Sequence, residues 1–588
     1  MPRVFMPAIL SGVLLWAAFY PLNLGVLGFV ALVPWLSLVG APVSRQRRYF
    51  AAYVGAFVFS ALATNWVRVA HPMMYFSWLA FSLVLPLFWL LALFLIRRLD
   101  RRGFPLALSV PVVWVALEYM RMHFPTGYPF LKPLGVYHMI GFGWYFLGYT
   151  QHAILPLIQI ADLGGVYAVS FVVAAMNGML ADWALGNDAV RGWLRWESRP
   201  IPIHSPTEGV ASSHSLRGKR AGGLGLLQTL AVPILLVASL AYGYVRLQHP
   251  EFAAGPKVAA LQGSVPQSDK MLNTRGLFIT YNQLCLSATR DHDLVIWPET
   301  CYPMNYFTIA SGVDSAKVPL RFAEEVDLAP AQLELFATGA IRPGLKLATK
   351  SPPPWQTNVL LGTNSYEWDG SREVPANTAL LVSPEGKIVA TYDKMHLVPF
   401  GEYVPLRTLA PWMKMFTPYK HDYSCRPGEK WTRFPFTTRD GRSFTFGCLI
   451  CYEDSDPYLA RHYVSTEPVD FLVNISNDGW FDGTEEHEEH LAICRFRAVE
   501  ARRAVVRAVN MGISAVIDSD GRVIAIPGKS WSTSKKMEGV VSAVVPIDDR
   551  SSLYAALGDW IPAGCWGTML LGFMLVRIRR PIPSNPTA

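Results

Sequence analysis

Cys451 is the residue of this sequence best placed to act as a nucleophile, because of what precedes and follows it. The apolar segment from 444 to 450 runs into the cysteine, and Tyr452, Glu453 and Asp454 follow at once. This pattern predicts a strand that ends in a sharp turn and presents the thiol at the mouth of a sheet, as the nucleophile elbow presents a serine. The alternative is that Cys451 is a small buried hydrophobe, the commoner role of an arbitrary cysteine.

A thiol with an ordinary pKa of about 8.5 needs a base or a positive neighbour to react near neutral pH. Two candidates stand at the ends of other predicted strands. Glu299 closes DLVIWPE (293 to 299), and Lys394 follows GKIVATYD (386 to 393). Either residue alone would be read as a solvated charge at a strand end. A glutamate, a lysine and a cysteine that all stand at strand ends form a more specific pattern.

The chain from 247 to 552 has the composition of a globular domain and predicts an α/β or α+β layer fold. A long polar helix is expected over 486 to 504, with an apolar side of Leu491, Ile493, Val499 and Ala501, and hairpin turns at 384 to 386 and 519 to 521. The insertion from 302 to 357 is expected to be irregular. The remaining predicted strands are 257 to 265, 358 to 366, 377 to 383, 444 to 453, 470 to 477, 514 to 519 and 539 to 547.

The rest of the chain is unlike a soluble enzyme. Hydrophobic residues make up 51% of the sequence and charged residues only 16%, whereas soluble domains average about 25% charged residues. Because a helix needs roughly 20 mostly apolar residues to cross a bilayer, the apolar runs predict about eight membrane spans. These are residues 4 to 20, 23 to 40, 50 to 67, 75 to 96, 104 to 120, 163 to 185, 223 to 245 and 560 to 576.

Basic residues cluster after the even-numbered spans, for example Arg45, Arg47 and Arg48 after the second and Arg577 after the eighth. The positive-inside rule then places both termini in the cytoplasm and residues 247 to 552 outside it. We divide the chain into a helical domain (1 to 246, with a cytoplasmic loop at 187 to 222), an outer domain (247 to 552) and a last span with a cytoplasmic tail (553 to 588). Residues 133 to 161 lack Asp, Glu, Lys and Arg, so a ninth span is an alternative. Their glycines and polar residues favour an interfacial or re-entrant segment on the outer side.

The seven cysteines do not have the spacing of a zinc site. Cys448 and Cys451 are three apart in a predicted strand, so they point to opposite faces and are poorly placed to share a metal or a disulfide. We expect no metal and no cofactor. The basic residues form no continuous stripe, so we expect no nucleic-acid partner.

Four segments, in chain order, resemble the motifs of the carbon-nitrogen hydrolase (nitrilase) superfamily. They are VIWPET (295 to 300), YDKMHLVPFGEYVP (392 to 405), CLICYED (448 to 454) and NISNDGWF (474 to 481). With several predicted spans before this block and one after it, nearly the whole chain, including TGYPF at 126 to 130, resembles the apolipoprotein N-acyltransferase family.

The resemblance implies an αββα sandwich on the periplasmic side of a bacterial cytoplasmic membrane. It implies Glu299 as general base, Lys394 as cationic stabiliser and Cys451 as nucleophile. The family pattern also marks Glu402 as a second carboxylate near the lysine, and Tyr452 and Glu453 as needed beside the cysteine.

The implied reaction moves a fatty acyl chain from a phospholipid to the cysteine, and then to the amine of a diacylglyceryl apolipoprotein. The same triad would also serve a membrane-tethered amidase or nitrilase that passes the acyl group to water. A receptor or transporter that binds a ligand without chemistry is a third class, but the predicted spans hold few ionisable residues that would mark a path through the membrane.

Overall fold

The computed structural model describes residues 2–124, 141–196, 224–248, 251–341, 351–404, 410–416 and 423–578. Its N-terminal part is helical. The long helices in this part are α1 (Phe5–Ala18), α2 (Arg45–Ala63), α3 (Met74–Asp100), α4 (Leu106–His123), α5 (Val166–Gly186) and α6 (Leu224–Arg246). The TGYPF segment and most of the predicted loop at 187 to 222 lie outside the described residues.

The part of the chain that follows α6 is built on two sheets. The first has the order β13-β1-β2-β4-β5-β6, with β3 paired to β4, and the second has the order β12-β11-β10-β9-β8-β7. The strands are β1 (Ala253–Gln262), β2 (Leu294–Ile296), β3 (Tyr306–Ile309), β4 (Asn358–Trp368), β5 (Glu373–Val382), β6 (Ile388–Asp393), β7 (Arg433–Thr437), β8 (Ser443–Ile450), β9 (Phe471–Ser476), β10 (Val505–Val509), β11 (Ala515–Ile517), β12 (Val523–Ala525) and β13 (Gly539–Ile547).

The two sheets pack face to face through one apolar core that includes Ile296 and Leu360 of the first sheet and Phe446 and Val473 of the second. Helices cover the outer faces. Helices α7 (Thr274–Ala288) and α8 (Leu320–Thr338) share a second core with the first sheet, while α9 (Pro457–Ser465) and α10 (Glu486–Ala501) contribute to the core of the second. The arrangement is the αββα sandwich that the resemblance implies.

All nine predicted strands are present, and the glycines of both predicted hairpin turns have positive φ, +79° at Gly386 and +82° at Gly521. The prediction that 302 to 357 is irregular is wrong, because β3 and α8 lie within it. The buried side chains of α8, among them Phe322 and Leu333, pack against the domain core and stabilise a helix that contains Pro330.

Helix α10 begins where it is predicted and ends at Ala501. The helix is polar, as predicted, but its polar side is buried as well, since even Glu488 and His490 are buried. The helix lies between the second sheet and the helical part of the chain: Leu491 belongs to the core of the sandwich, whereas Phe496 belongs to the core of the helical part. Burial on both sides explains why its polar groups are paired rather than hydrated.

Contacts made by charged side chains join the sandwich to the helical part of the chain. Arg502, which follows α10, contacts Asp162 at 2.6 Å, and both side chains are buried. The carboxylate of Glu489 accepts a hydrogen bond from the N–H of Tyr20 at 2.7 Å. Since breaking a buried pair leaves an uncompensated charge, these contacts fix how the sandwich sits on the helices.

Helix α11 (Trp560–Ile578) follows the sandwich and packs against α4. By length and composition alone, two helices of the described residues could cross a membrane, α3 and α5; α1 and residues 230–246 are shorter apolar helices. Eight spans therefore remain a prediction. The segment predicted as the second span is not one continuous helix, because it consists of the short helices Gly25–Phe29, Val33–Leu36 and Ser37–Val39.

This segment packs closely against residues 141 to 161, the described part of the segment that we interpret as interfacial or re-entrant. A β-carbon on Gly25 would lie 2.2 Å from the carbonyl oxygen of Thr150. The described part of the re-entrant segment contains only short helices, Leu147–Gln151 and Leu155–Ile158. Residues 133 to 140 of it lie outside the described residues.

Candidate active site

Cys451 stands at the turn between β8 and a short 3₁₀ helix, Cys451–Ser455. Its φ of +57° puts a non-glycine residue in the left-handed region, which costs about 1–3 kcal/mol and persists only where neighbouring groups hold it. The residue as a whole is partly exposed, whereas Cys448 on the same strand is fully buried. The sequence pattern predicts both the turn and this difference between the two cysteines.

Glu299 follows β2 and is 7% exposed. Its Oε1 accepts hydrogen bonds from Asn377 Nδ2 at 2.7 Å and from Lys394 Nζ at 3.1 Å. Its Oε2 accepts a hydrogen bond from the N–H of Asn477 at 3.1 Å. Lys270 holds the backbone of the glutamate, since its Nζ donates to the Glu299 carbonyl oxygen at 2.9 Å. Three groups therefore fix the carboxylate and a fourth fixes the backbone of the same residue.

Lys394 follows β6 and is 1% exposed. Its ammonium lies between two carboxylates, at 3.1 Å from Glu299 and 3.1 Å from Glu402. Burial opposes the charged form, but the two glutamates together raise the pKa of Lys394 well above its ordinary value. Asn377 donates to both carboxylates, at 2.7 Å and 2.8 Å. The lysine is thus held as a cation, and its ammonium group has a fixed position between the two carboxylates.

The thiol of Cys451 is neutral in the resting site. Burial raises the pKa of Cys451 well above its ordinary value, the negative charge of Glu299 raises it further, and Lys394 opposes the rise. A thiol in this environment needs a base at the moment of attack. The charge of Glu299 acts on this thiol, and a carboxylate held in this position is chemically able to accept a proton.

Glu453 connects the turn at Cys451, called here the elbow, to the loop that carries Lys394. It accepts hydrogen bonds from the N–H groups of Met395 at 2.7 Å and His396 at 3.0 Å, and from the N–H of Ile450 at 2.7 Å. The hydroxyl of Tyr392 donates to it as well, at 3.0 Å. One carboxylate therefore fixes the positions of the chain segments on which Lys394 and Cys451 depend.

Tyr452 lies over the lysine. Its ring centroid is 5.7 Å from Lys394 Nζ, and its hydroxyl donates to the carbonyl oxygen of Leu397 at 3.0 Å. Tyr452 and Phe481 also pack against the core of the helical part, where Phe481 meets Trp66 at 4.7 Å between ring centroids. The rim of the site is therefore continuous with the helices.

The structure brings all six predicted site residues into one region, and it adds three that the sequence reasoning missed. These three residues hold Glu299 in place: Asn377, Asn477 and Lys270. Two of them have a signal in the sequence, because Asn377 is a polar residue at the start of an otherwise apolar predicted strand and Asn477 lies within the NISNDGWF motif. The sequence contained no comparable signal for Lys270.

One group of described residues could offer ligand atoms to a metal. Asp478, Glu486 and His490 each place one such atom within 4.8 Å of the others. Each already has an ionic partner: Arg507 contacts Asp478 at 2.9 Å, and His490 contacts Glu486 at 3.4 Å. We therefore interpret the group as an ion-pair network.

Comparison with known proteins finds a family model for each of the two parts of the chain. Residues 11–179 match the family model of the apolipoprotein N-acyltransferase N-terminal domain, and residues 257–551 match the carbon-nitrogen hydrolase model. The crystal structure of an amidase from Nesterenkonia sp. is 15% identical, with a TM-score of 0.32 over 52% of this chain and 95% of the amidase.

Relatives match over nearly the whole length. Apolipoprotein N-acyltransferase of Geobacter metallireducens is 32% identical over 96% of this chain and 93% of its own. The protein of the same name from Rhodopirellula baltica is 28% identical over 95% of this chain and 94% of its own. The sequence motifs, the sandwich and these full-length relatives agree, and the chain belongs to the apolipoprotein N-acyltransferase family.

Proposed function

We propose that this chain transfers a fatty acyl chain from a membrane phospholipid to the N-terminal amine of the diacylglyceryl cysteine of apolipoproteins. The observation that carries the proposal is the pairing of Lys394 with Glu299 and Glu402 beside Cys451, whose pKa depends on the charges of all three, on a rim packed against apolar helices. The family supplies the substrate class, and the geometry supplies the chemistry.

In the first step Glu299 takes the proton of the Cys451 thiol, and the sulfur attacks the ester carbonyl carbon of the phospholipid. The negative charge that develops on the carbonyl oxygen is stabilised by Lys394, which is already positioned and desolvated. The C–O ester bond then breaks. The departing lysophospholipid oxygen takes the proton from Glu299, and the acyl group remains on Cys451 as a thioester.

In the second step the free amine of the acceptor attacks the thioester carbon. Glu299 takes one amine proton, Lys394 again stabilises the oxyanion, and the C–S bond breaks as the amide forms. The proton passes from Glu299 to the departing sulfur. This restores the neutral thiol that burial favours in the resting site.

The proposed placement follows from the substrates. Residues 1 to 246 form the helical domain in a bacterial cytoplasmic membrane, 247 to 552 the periplasmic catalytic domain, and 553 to 588 the last span with its tail, with both termini in the cytoplasm. The basic clusters after the even-numbered spans support this orientation. Because donor and acceptor are both lipid-anchored, a site whose rim continues into apolar helices can receive each in turn without extracting it from the bilayer.

Transfer to an acceptor peptide tests the proposal. The purified full-length chain is given phospholipid with a labelled acyl chain, together with a peptide that has a diacylglyceryl cysteine and a free N-terminus. The label is expected in an amide on that amine, and a peptide acetylated at the N-terminus is expected to receive none. Label that appears mainly as free fatty acid would show that the chain is a hydrolase. Absence of label from every product would refute acyl transfer.

A further inference from the structure

Besides Glu453, the side chain of Asn474 holds the strained backbone of Cys451. The carbonyl oxygen of Cys451 accepts a hydrogen bond from Asn474 Nδ2 at 3.0 Å, and the same Nδ2 lies 3.4 Å from the carbonyl oxygen of Leu449. Because a trans peptide is planar, engaging this carbonyl turns the N–H of Tyr452 away from Asn474. The asparagine therefore fixes the orientation of the peptide that follows the sulfur-bearing residue.

Arg507 fixes the amide of Asn474 from its other end. Its Nη1 donates to Asn474 Oδ1 at 2.6 Å, and the two residues are direct partners in the parallel pairing of β9 and β10. With its oxygen bound to a guanidinium and its nitrogen bound to two carbonyl groups, the amide has only one favourable orientation. Both side chains are fully buried, so water does not compete for these bonds.

A ring of four charged side chains, called here the ion ring, fixes the guanidinium in turn. Arg507 contacts Asp454 at 3.1 Å and Asp478 at 2.9 Å. His490, from α10, meets the same two carboxylates, with Nε2 at 2.8 Å from Asp454 and Nδ1 at 3.3 Å from Asp478. All four residues are buried: Asp478 is 1% exposed, and the other three are fully buried.

The ion ring also reaches the elbow directly, because Asp454 belongs to the 3₁₀ helix that Cys451 begins. The two carboxylates raise the pKa of His490 well above its ordinary value against the effects of burial and of Arg507, so the imidazole is charged at neutral pH. Two anions and two cations then alternate around the ring. Removing any member of this network would leave an uncompensated buried charge, so the network is costly to break.

We propose that Asn474 and Arg507 are positioning residues for the acyl-transfer reaction, which hold the backbone of Cys451 in the conformation that aims its sulfur and the following peptide at the substrate. The proposal rests on the proposed function, in which Cys451 carries the acyl group. Its distinctive consequence is a loss of thioester formation that exceeds any loss of folded protein, since misplacing a nucleophile by about 1 Å can cost on the order of 100-fold in rate.

Asn474→Ala and a matched control separate positioning from stability. Asn358, on β4, is also a buried asparagine whose amide donates to two carbonyl oxygens, those of Asp293 at 3.1 Å and Thr437 at 3.0 Å, but it has no contact with the elbow. The readout is the single-turnover rate at which Cys451 takes up a labelled acyl chain, per mole of protein folded by circular dichroism. We expect Asn474→Ala to be about 10- to 100-fold slower than Asn358→Ala at similar melting temperatures.

Two further variants keep the test decisive if an alanine variant folds poorly. Asn474→Asp keeps the size and the bond from Arg507 but sets an oxygen against the Cys451 carbonyl, so it is expected to be at least as slow as Asn474→Ala. Arg507→Lys is compared with Arg497→Lys, because Arg497 is another fully buried arginine, paired with Glu500 at 2.9 Å and away from the elbow. Only Arg507→Lys is expected to slow acylation.

The outcomes are distinguishable from failure of the proposed function. If the unaltered chain takes up no acyl group on Cys451, the proposed function fails first. If the unaltered chain is acylated and the folded Asn474 variants react within threefold of Asn358→Ala, Asn474 is not a positioning residue and this inference is wrong.

Discussion

Lys394 Nζ lies 3.1 Å from Oε1 of Glu299, and both side chains are buried. The same ammonium is shared with Glu402, so its charge is balanced by two carboxylates rather than one. The two carboxylates hold the ammonium in place, and its positive charge remains available for an oxyanion nearby. The position of each side chain, Lys394 and Glu299, therefore depends on the position of the other.

Lys394→Arg is expected to fail almost as badly as Lys394→Ala, with acylation slower by about 100-fold or more. An ammonium is compact and fits between two carboxylates, whereas a guanidinium is larger, planar and directed differently. The measurement is the single-turnover acylation rate. Lys535→Arg is the control, because Lys535 also pairs with a glutamate, Glu488, at 2.9 Å. Near-normal turnover of Lys394→Arg would show that only a general positive field is needed.

Glu299→Gln is expected to stop acylation of Cys451 and yet to make its thiol easier to alkylate. It removes the base and should stop acylation, but it also removes a negative charge that raises the pKa of Cys451. The thiolate fraction at pH 7 to 8 should therefore increase, and alkylation by iodoacetamide should be faster than in the unaltered chain. In the unaltered chain, alkylation should keep rising above pH 9, because the thiol has a raised pKa. Slower alkylation in Glu299→Gln would contradict the assigned electrostatics.

Glu453→Gln is expected to destabilise the elbow and the lysine loop together. The carboxylate accepts hydrogen bonds from three backbone N–H groups and a tyrosine hydroxyl, and an amide would direct its own NH₂ at one or more of these donors. We expect a loss of about 2–4 kcal/mol in the free energy of unfolding, measured by denaturant titration. Glu467→Gln, at an exposed glutamate, should be neutral. A neutral Glu453→Gln would remove the structural role assigned to the residue.

The sequence predicted the strands that carry the site better than it predicted what lies between them. Cys451, Glu299 and Lys394 stand at strand ends, where apolar runs stop, so periodicity locates them. Strand β10 was missed because Arg507 interrupts its apolar run, and that arginine is tolerated only because two aspartates and Asn474 from elsewhere pair with it. The burial of α10 was missed for the same reason: its polar residues look solvated until the helices that cover them are in place.

The membrane orientation is testable independently of the chemistry. A reporter that is active only outside the cytoplasm should be active when fused after about residue 250, and silent when fused near residue 205 or at the C-terminus. The reason is the clusters of basic residues that follow the even-numbered spans. An active fusion near residue 205 would show that the predicted number or order of spans is wrong.

Mass spectrometry of the acylated chain tests the central claim, the role of Cys451 as the acyl carrier. Given phospholipid with a labelled acyl chain and no acceptor, the chain should hold about one acyl group per molecule on Cys451, in a bond that neutral hydroxylamine cleaves as it does a thioester. Cys448→Ala should still take up the label, since Cys448 is buried in the core of the sandwich, and Cys451→Ala should take up none. Normal labelling of Cys451→Ala, or a label that maps to any other residue, would contradict the assignment.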